Sequence, residues 1–146
     1  MAIKQEMLEK VKKLVKKVGT VYIATADRTG TPHIAASEGL TFTEEGHILF
    51  KAWFCLKTVS NLEKNRKLSL AVLDPKTQEG YQILGEIRQI EAGAMLDGYG
   101  SEREKDWAGY PQAEHQLLIH AKKISSLTSG PHSDEWIESP AGKETA

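Results

Sequence analysis

A chain of 146 residues has the length of one domain and is long enough to bury a real core. Its hydrophobic content of 40% and charged content of 27% are those of an ordinary globular protein, and a net charge of −1 gives no bulk field for gripping nucleic acid. The single cysteine, Cys55, excludes an internal disulfide; with no signal peptide and no apolar run near the ~20 residues of a membrane helix, a cytoplasmic location is expected.

Residues 3–18 read as a helix. Ile3, Met7, Leu8, Val11, Leu14, Val15 and Val18 recur at three- and four-residue spacing, and Gly19 is a natural stop. The opposite face carries Lys10, Lys12, Lys13, Lys16 and Lys17. A solvated face is the plain explanation, and attraction of an anionic ligand is the functional one. Residues 20–26 (TVYIATA) then read as a strand rich in β-formers. A turn at 27–31 contains Gly30, which can take positive φ. Pro32 opens the next strand, residues 32–39, so the pair forms a hairpin. Residues 40–43 stay extended, and 44–46 turn the chain again.

From His47 the pattern is period two. Ile48, Phe50, Ala52 and Phe54 fall on one face, and Leu49, Lys51 and Trp53 on the other. At Lys57 and Thr58 the period changes: Val59, Leu62 and Glu63 sit at helical spacing, and Asn65 is a stop. A strand therefore runs into a short helix that opens on Lys57 and Thr58. The first amides of a helix lack internal acceptors, and the helix dipole adds positive character there. An ammonium and a hydroxyl beside them suit a phosphate. The plain alternative is that Thr58 or Ser60 caps the helix, Ser60 with Glu63 as a capping box. Cys55 just ahead is either a buried inert thiol or one whose pKa is lowered by Lys57 and the helix start.

Residues 67–74 (KLSLAVLD) form another strand, ended by Asp74 and Pro75. Residues 80–91 form a long one, with Tyr81, Ile83, Gly85, Ile87 and Gln89 on one face. Gly85 in its interior marks a bulge or bend. Residues 92–110 are helical or irregular, and Ser101 with Glu104 would cap a short helix reaching Trp107. Residues 115–126 fit a strand that supplies a closing edge. The stretch from 128 to 146 is polar and expected to be loose, so the folded domain is residues 1–127. His115 and His120 are five apart and do not share a strand face, so no metal site is expected. Few basic residues alternate with aromatics on the strands, which disfavours a nucleic-acid-binding barrel. These elements predict a mainly β protein: a six-stranded β-barrel with an N-terminal amphipathic helix.

GTVYIATAD, PHIAAS, ILFKAWF, LKTVSNLEKN, KLSLAVLD and GYQILGEI, in this order and spacing, resemble the FMN-binding split-barrel family. That superfamily includes pyridoxamine 5′-phosphate oxidase and small bacterial FMN-binding proteins. The resemblance spans about residues 19–99, with a weaker echo at 115–127. It implies a homodimer with FMN at the interface. Lys57 and Thr58 would hold the phosphate, with Ala36 and Ser37 near the phosphate and ribityl chain. Lys51, Ala52 and Trp53 would line the ring, partly through backbone groups. Gln82 would reach a flavin bound mostly by the other chain, and Trp107 would cover the ring. Plain roles stand beside these: core packing for Trp53, solvent for Lys51, a turn for Ser37 and a rim position for Gln82. The chain departs from true pyridoxamine phosphate oxidases, whose C-terminal Arg/His substrate segment and arginine-rich flavin site it lacks. The resemblance thus implies a flavin-dependent oxidoreductase of unknown substrate, with a small-molecule or protein redox partner. A flavin carrier or electron-transfer module is the alternative, as is the same barrel holding haem or a deazaflavin.

Overall fold

The computed structural model describes residues 4–43, 45–52, 55–93, 114–132 and 136–138. In chain order these form α1 (Gln5–Val18), β1 (Val21–Ala26), β2 (Pro32–Ser37), β3 (Thr41–Phe42), β4 (His47–Ala52), α2 (Leu56–Lys64), β5 (Lys67–Leu73), β6 (Gly80–Gly93), β7 (Glu114–Ser126) and β8 (Trp136–Glu138). The strands build one antiparallel sheet in the order β2-β1-β5-β6-β7-β4-β3, with β8 added to β7. The sheet curls until β2, at one end, approaches β4 near the other. No hydrogen-bonded ladder joins β2 to β3 among the described residues, which leaves the barrel split.

Curling puts one face of every long strand inside. Ile23, Ile48, Phe50, Leu70, Ile83, Ile87, Leu117, Ile119 and Ile124 are all buried there. The helices add Leu8, Val11, Leu14, Val15, Val59 and Leu62. α1 ends where its sequence says it should: Gly19 takes φ 85° and its amide donates to the Val15 carbonyl. The lysine face of α1 is exposed. One of its members has a structural partner, since Lys17 Nζ lies 3.0 Å from Asp74 Oδ2 in the β5–β6 turn. No helix among the described residues is long and apolar enough to cross a membrane.

The six predicted strands are present, and the structure adds β3 and β8. β7 is not a closing edge. It lies inside the sheet between β6 and β4, because Leu117, Ile119, Ala121 and Ile124 need cover on the core side. The bulge expected at Gly85 is found: the β6–β7 register shifts between Leu84 and Gly85, and again between Ile87 and Gln89. The second shift turns Gln89 outward and gives its place against the core to Ile90. The start of the C-terminal stretch, expected to be loose, is held. Gln78 Oε1 accepts from Thr128 Oγ1, from the Ser129 amide and from the Ser129 hydroxyl. The short helix expected before Trp107 lies outside the described residues.

Candidate functional site

The β4–α2 junction brings the sequence's phosphate seat into view. α2 begins at Leu56, with Cys55 in the capping position and no side chain capping it. Thr58 is the third residue of the helix and Ser60 the fifth, so neither occupies the capping position; Thr58 lies in the first turn, and Ser60 lies past it. Lys57 is exposed and Thr58 is fully buried. The Thr58 Oγ1 has no hydrogen-bond partner.

Local sequence explains why the helix sits as it does. Thr58, Val59, Asn61 and Leu62 form one buried face. Val59 and Leu62 fill the core, while Asn61 Nδ2 donates to Thr25 Oγ1 on β1 over 3.1 Å. Both members of that pair are buried. The Lys57 end of α2 lies toward the β1–β2 turn, where its charge is felt by Asp27. Asp27 is held below the usual carboxylate range, first by the Thr29 hydroxyl, then by the Thr31 amide, with Lys57 a smaller cause. Its Oδ1 accepts from the Thr29 amide at 2.8 Å, the Thr29 hydroxyl at 2.7 Å and the Thr31 amide at 3.0 Å. Those bonds anchor the carboxylate in its own turn. Lys57 makes no ion pair among the described residues, so its ammonium remains available to an anion.

The other predicted residues fall in different places. Ala52 ends β4 facing the core, and Lys51 beside it is exposed on the outer face, paired with Gln116. Ala36 is exposed opposite Tyr22, and Ser37 is half-buried opposite Val21. Both lie at the end of β2 far from the Asp27 turn, about 16 Å along the strand from Pro32. Gln82 is in register with Ala71, and Ala71 with Tyr22, so Ala36, Tyr22, Ala71 and Gln82 form one row across four strands. Gln82 donates to Ser69 Oγ at 2.9 Å and accepts from Ser125 Oγ at 3.4 Å. The structure thus gathers Lys57, Thr58 and Ala52 at the junction and leaves Ala36 and Gln82 on a separate outer face. Trp53 and Trp107 lie outside the described residues.

Two features escaped the sequence. The Thr25–Asn61 bond had only the three-residue spacing of Thr58 and Asn61 to announce it. His115, at the start of β7, lies in register with Ala52, and its Nδ1 is buried without a partner. A shallow groove on the outer face is lined by Leu49, Leu118, Gln89, Glu91 and Gln116. Its cavity volume of ≈ 100 Å³ is far below the roughly 300–1,000 Å³ of small-molecule sites, and it lies away from α2, so the junction is the better candidate. No group of three or more His, Cys, Asp or Glu that could hold a metal occurs among the described residues.

Comparison with known proteins agrees with this architecture. The family model described as pyridoxamine 5′-phosphate oxidase matches residues 7–126. The uncharacterized protein MJ0282 of Methanocaldococcus jannaschii is 29% identical over 131 residues, covering 88% of this chain and 85% of that protein. The crystal structure of HupZ from Group A Streptococcus superposes with a TM-score of 0.58 at 26% identity, covering 86% of this chain and 97% of that one. An FMN-binding protein from Syntrophomonas wolfei superposes with a TM-score of 0.63 at 21% identity, covering 87% of this chain and 90% of that one. The curled antiparallel sheet and a family match running from α1 to the end of β7 make this chain a member of the pyridoxamine 5′-phosphate oxidase family.

Proposed function

We propose that this protein binds FMN at the β4–α2 junction and acts as a flavin-dependent oxidoreductase. The carrying observation is the Thr58 hydroxyl: buried, unpartnered, and in the first turn of a helix beside the exposed Lys57. Leaving a buried hydroxyl unsatisfied costs about 1–3 kcal/mol, which a phosphate oxygen accepting its proton would recover. Lys57 supplies positive charge, and the first-turn amides and helix dipole add to it. No arginine stands between residues 47 and 58, so in this reading Lys57 carries the side-chain charge, with Lys51 as a helper.

FMN, when bound, supplies the redox chemistry; the protein's part is binding, orientation and local electrostatics. In this reading Ala52, with Lys51 and Trp53 on either side, lines the ring, and Ala36 and Ser37 border the ribityl chain. Trp107 is a candidate cover for the ring. Gln82 sits on a face separate from its own junction, so it serves a flavin held by a second copy, and the working unit is a homodimer. The exposed Ile34 and Tyr22 on that same outer face give the two copies an apolar surface to share. The FMN-binding domain is residues 1–127, with 128–146 as an appended segment, in a cytoplasmic setting. The redox partner is a small molecule or a protein.

The test is the absorption spectrum of the freshly purified protein, followed by titration with FMN. Flavin bands, or uptake of added FMN, support the reading; a colourless protein that refuses excess FMN overturns it. Haem and deazaflavin give different spectra in the same measurement. Stopped-flow reduction by NADH or NADPH then separates an enzyme from a carrier.

A further inference from the structure

His115 is the first fully described residue of β7, and its place in the sheet gives it a use that no strand periodicity would suggest. It pairs with Ala52 at the end of β4. Directly opposed residues of antiparallel strands project to the same face, so the imidazole shares the inward face of Ala52. The neighbour across the ladder is small, and it is followed by the connection into α2. His115 Nδ1 is closed to solvent and unpartnered. Among the described residues, Thr58 Oγ1 shares that condition.

The two atoms flank one junction. Ala52, beside His115, is the last residue of β4; Thr58 is the third residue of α2. Buried polar atoms in folded proteins are overwhelmingly paired, so each unpaired one asks for an explanation. Two at opposite ends of one strand-to-helix junction suit a ligand with polar groups at both ends. A flavin mononucleotide has that form: a phosphate at one end and a ring edge bearing carbonyl oxygens at the other.

We propose that His115 is a ligand-binding residue whose Nδ1–H donates to the carbonyl-bearing edge of the flavin ring while Lys57 and Thr58 hold the phosphate. This rests on the FMN reading above and assigns to it a residue from a third element. A donor at that edge stabilises the electron-rich reduced ring more than the oxidised one, so His115 tunes the flavin as well as binding it.

The experiment compares FMN with riboflavin, which lacks the phosphate, on the full-length protein. Dissociation constants come from quenching of flavin fluorescence, and midpoint potentials from spectroelectrochemistry. His115→Phe fills the space without a donor, and His115→Asn restores one. Expected is a loss of about three- to tenfold in affinity for both flavins with His115→Phe, a lowered midpoint potential, and partial recovery of both with His115→Asn. The double change Lys57→Ala with Thr58→Ala weakens FMN alone. Unchanged affinity and potential in His115→Phe, with FMN still sensitive to Lys57 and Thr58, overturns the role of His115 and leaves the FMN reading standing. A wild-type protein that takes up neither flavin overturns both. Thermal melting of each variant identifies a fold defect, and His115→Asn, which keeps a polar group of similar reach, carries the test if the phenylalanine variant does not fold.

Discussion

Asn61 on α2 donates its side-chain amide to the Thr25 hydroxyl on β1 over 3.1 Å, with both groups buried. This bond ties α2 to β1 alongside the core packing of Val59 and Leu62. Truncation at either end leaves a polar atom stranded in the core. Asn61→Leu is therefore expected to cost about 2 kcal/mol in urea unfolding, and Thr25→Val a similar amount. Replacing both at once with Asn61→Leu and Thr25→Val should cost less than the two single changes added, because no orphan remains. Strict additivity in the double-mutant cycle would show that the bond does not hold the helix.

Thr58 offers an opposite-signed pair of effects in one residue. Its hydroxyl is buried and unpartnered, so Thr58→Val removes a polar atom at nearly constant shape. The ligand-free protein should gain about 1 kcal/mol of stability. The same change should weaken FMN binding about tenfold or more, since hydrogen bonds to a charged phosphate are the stronger kind. Denaturation without ligand and titration with FMN measure the two arms separately. A variant both less stable and equally avid would refute the assignment of Thr58 to the phosphate.

Period-two and helical spacing made the six long strands and both helices legible, because each buries one face in a curled sheet. Gly85 was legible too, since a glycine inside a long apolar strand has few other uses. The position of β7 was not. Its alternation fits an edge and an interior strand equally, and only non-local pairing with β4 and β6 decides between them. The bulge at Ile87 hid which of Gln89 and Ile90 faces inward. At the site, Lys57 and Thr58 stood out because they sit where the period changes. His115 did not, because its relation to Ala52 lies across 63 residues of chain and exists only as ladder register. The capping role offered for Ser60 failed because the helix starts one turn earlier, at Leu56.

Gly85 also allows a stability prediction with a geometric cause. A Cβ added there would lie 2.9 Å from Ile119 Cγ2 and 3.0 Å from the His120 carbonyl oxygen. Ile119 is fully buried and β-branched, and the carbonyl belongs to the paired strand, so neither yields cheaply. Gly85→Ala should destabilise the protein by about 2 kcal/mol through overpacking. The companion change Ile119→Ala removes Cγ2 itself, so it should cost less in the Gly85→Ala background than in wild type. Equal stability of wild type and Gly85→Ala in chemical denaturation would mean that the bulge has slack the structure does not show.

Asp74 sets an acid dependence whose sign can be worked out. Its carboxyl is held down at about 2, below its ordinary value of 3.8, first because Lys17 hydrogen-bonds to it and then because the Lys76 amide does. The folded state therefore favours the ionised form. That contribution is complete above the unfolded value near 3.8 and is lost as pH falls through it toward 2. The Lys17 ammonium is more than half exposed, so salt screens part of the attraction. Lys17→Met keeps most of the side-chain bulk and removes the charge. Its unfolding free energy should lie below that of wild type at pH 5 to 7, and the two curves should converge as pH approaches 2. The gap should also narrow in high salt at pH 6, when the chloride concentration is raised at fixed denaturant. Parallel curves across the whole acid range would mean that the bond between α1 and the β5–β6 turn contributes nothing that depends on the Asp74 charge.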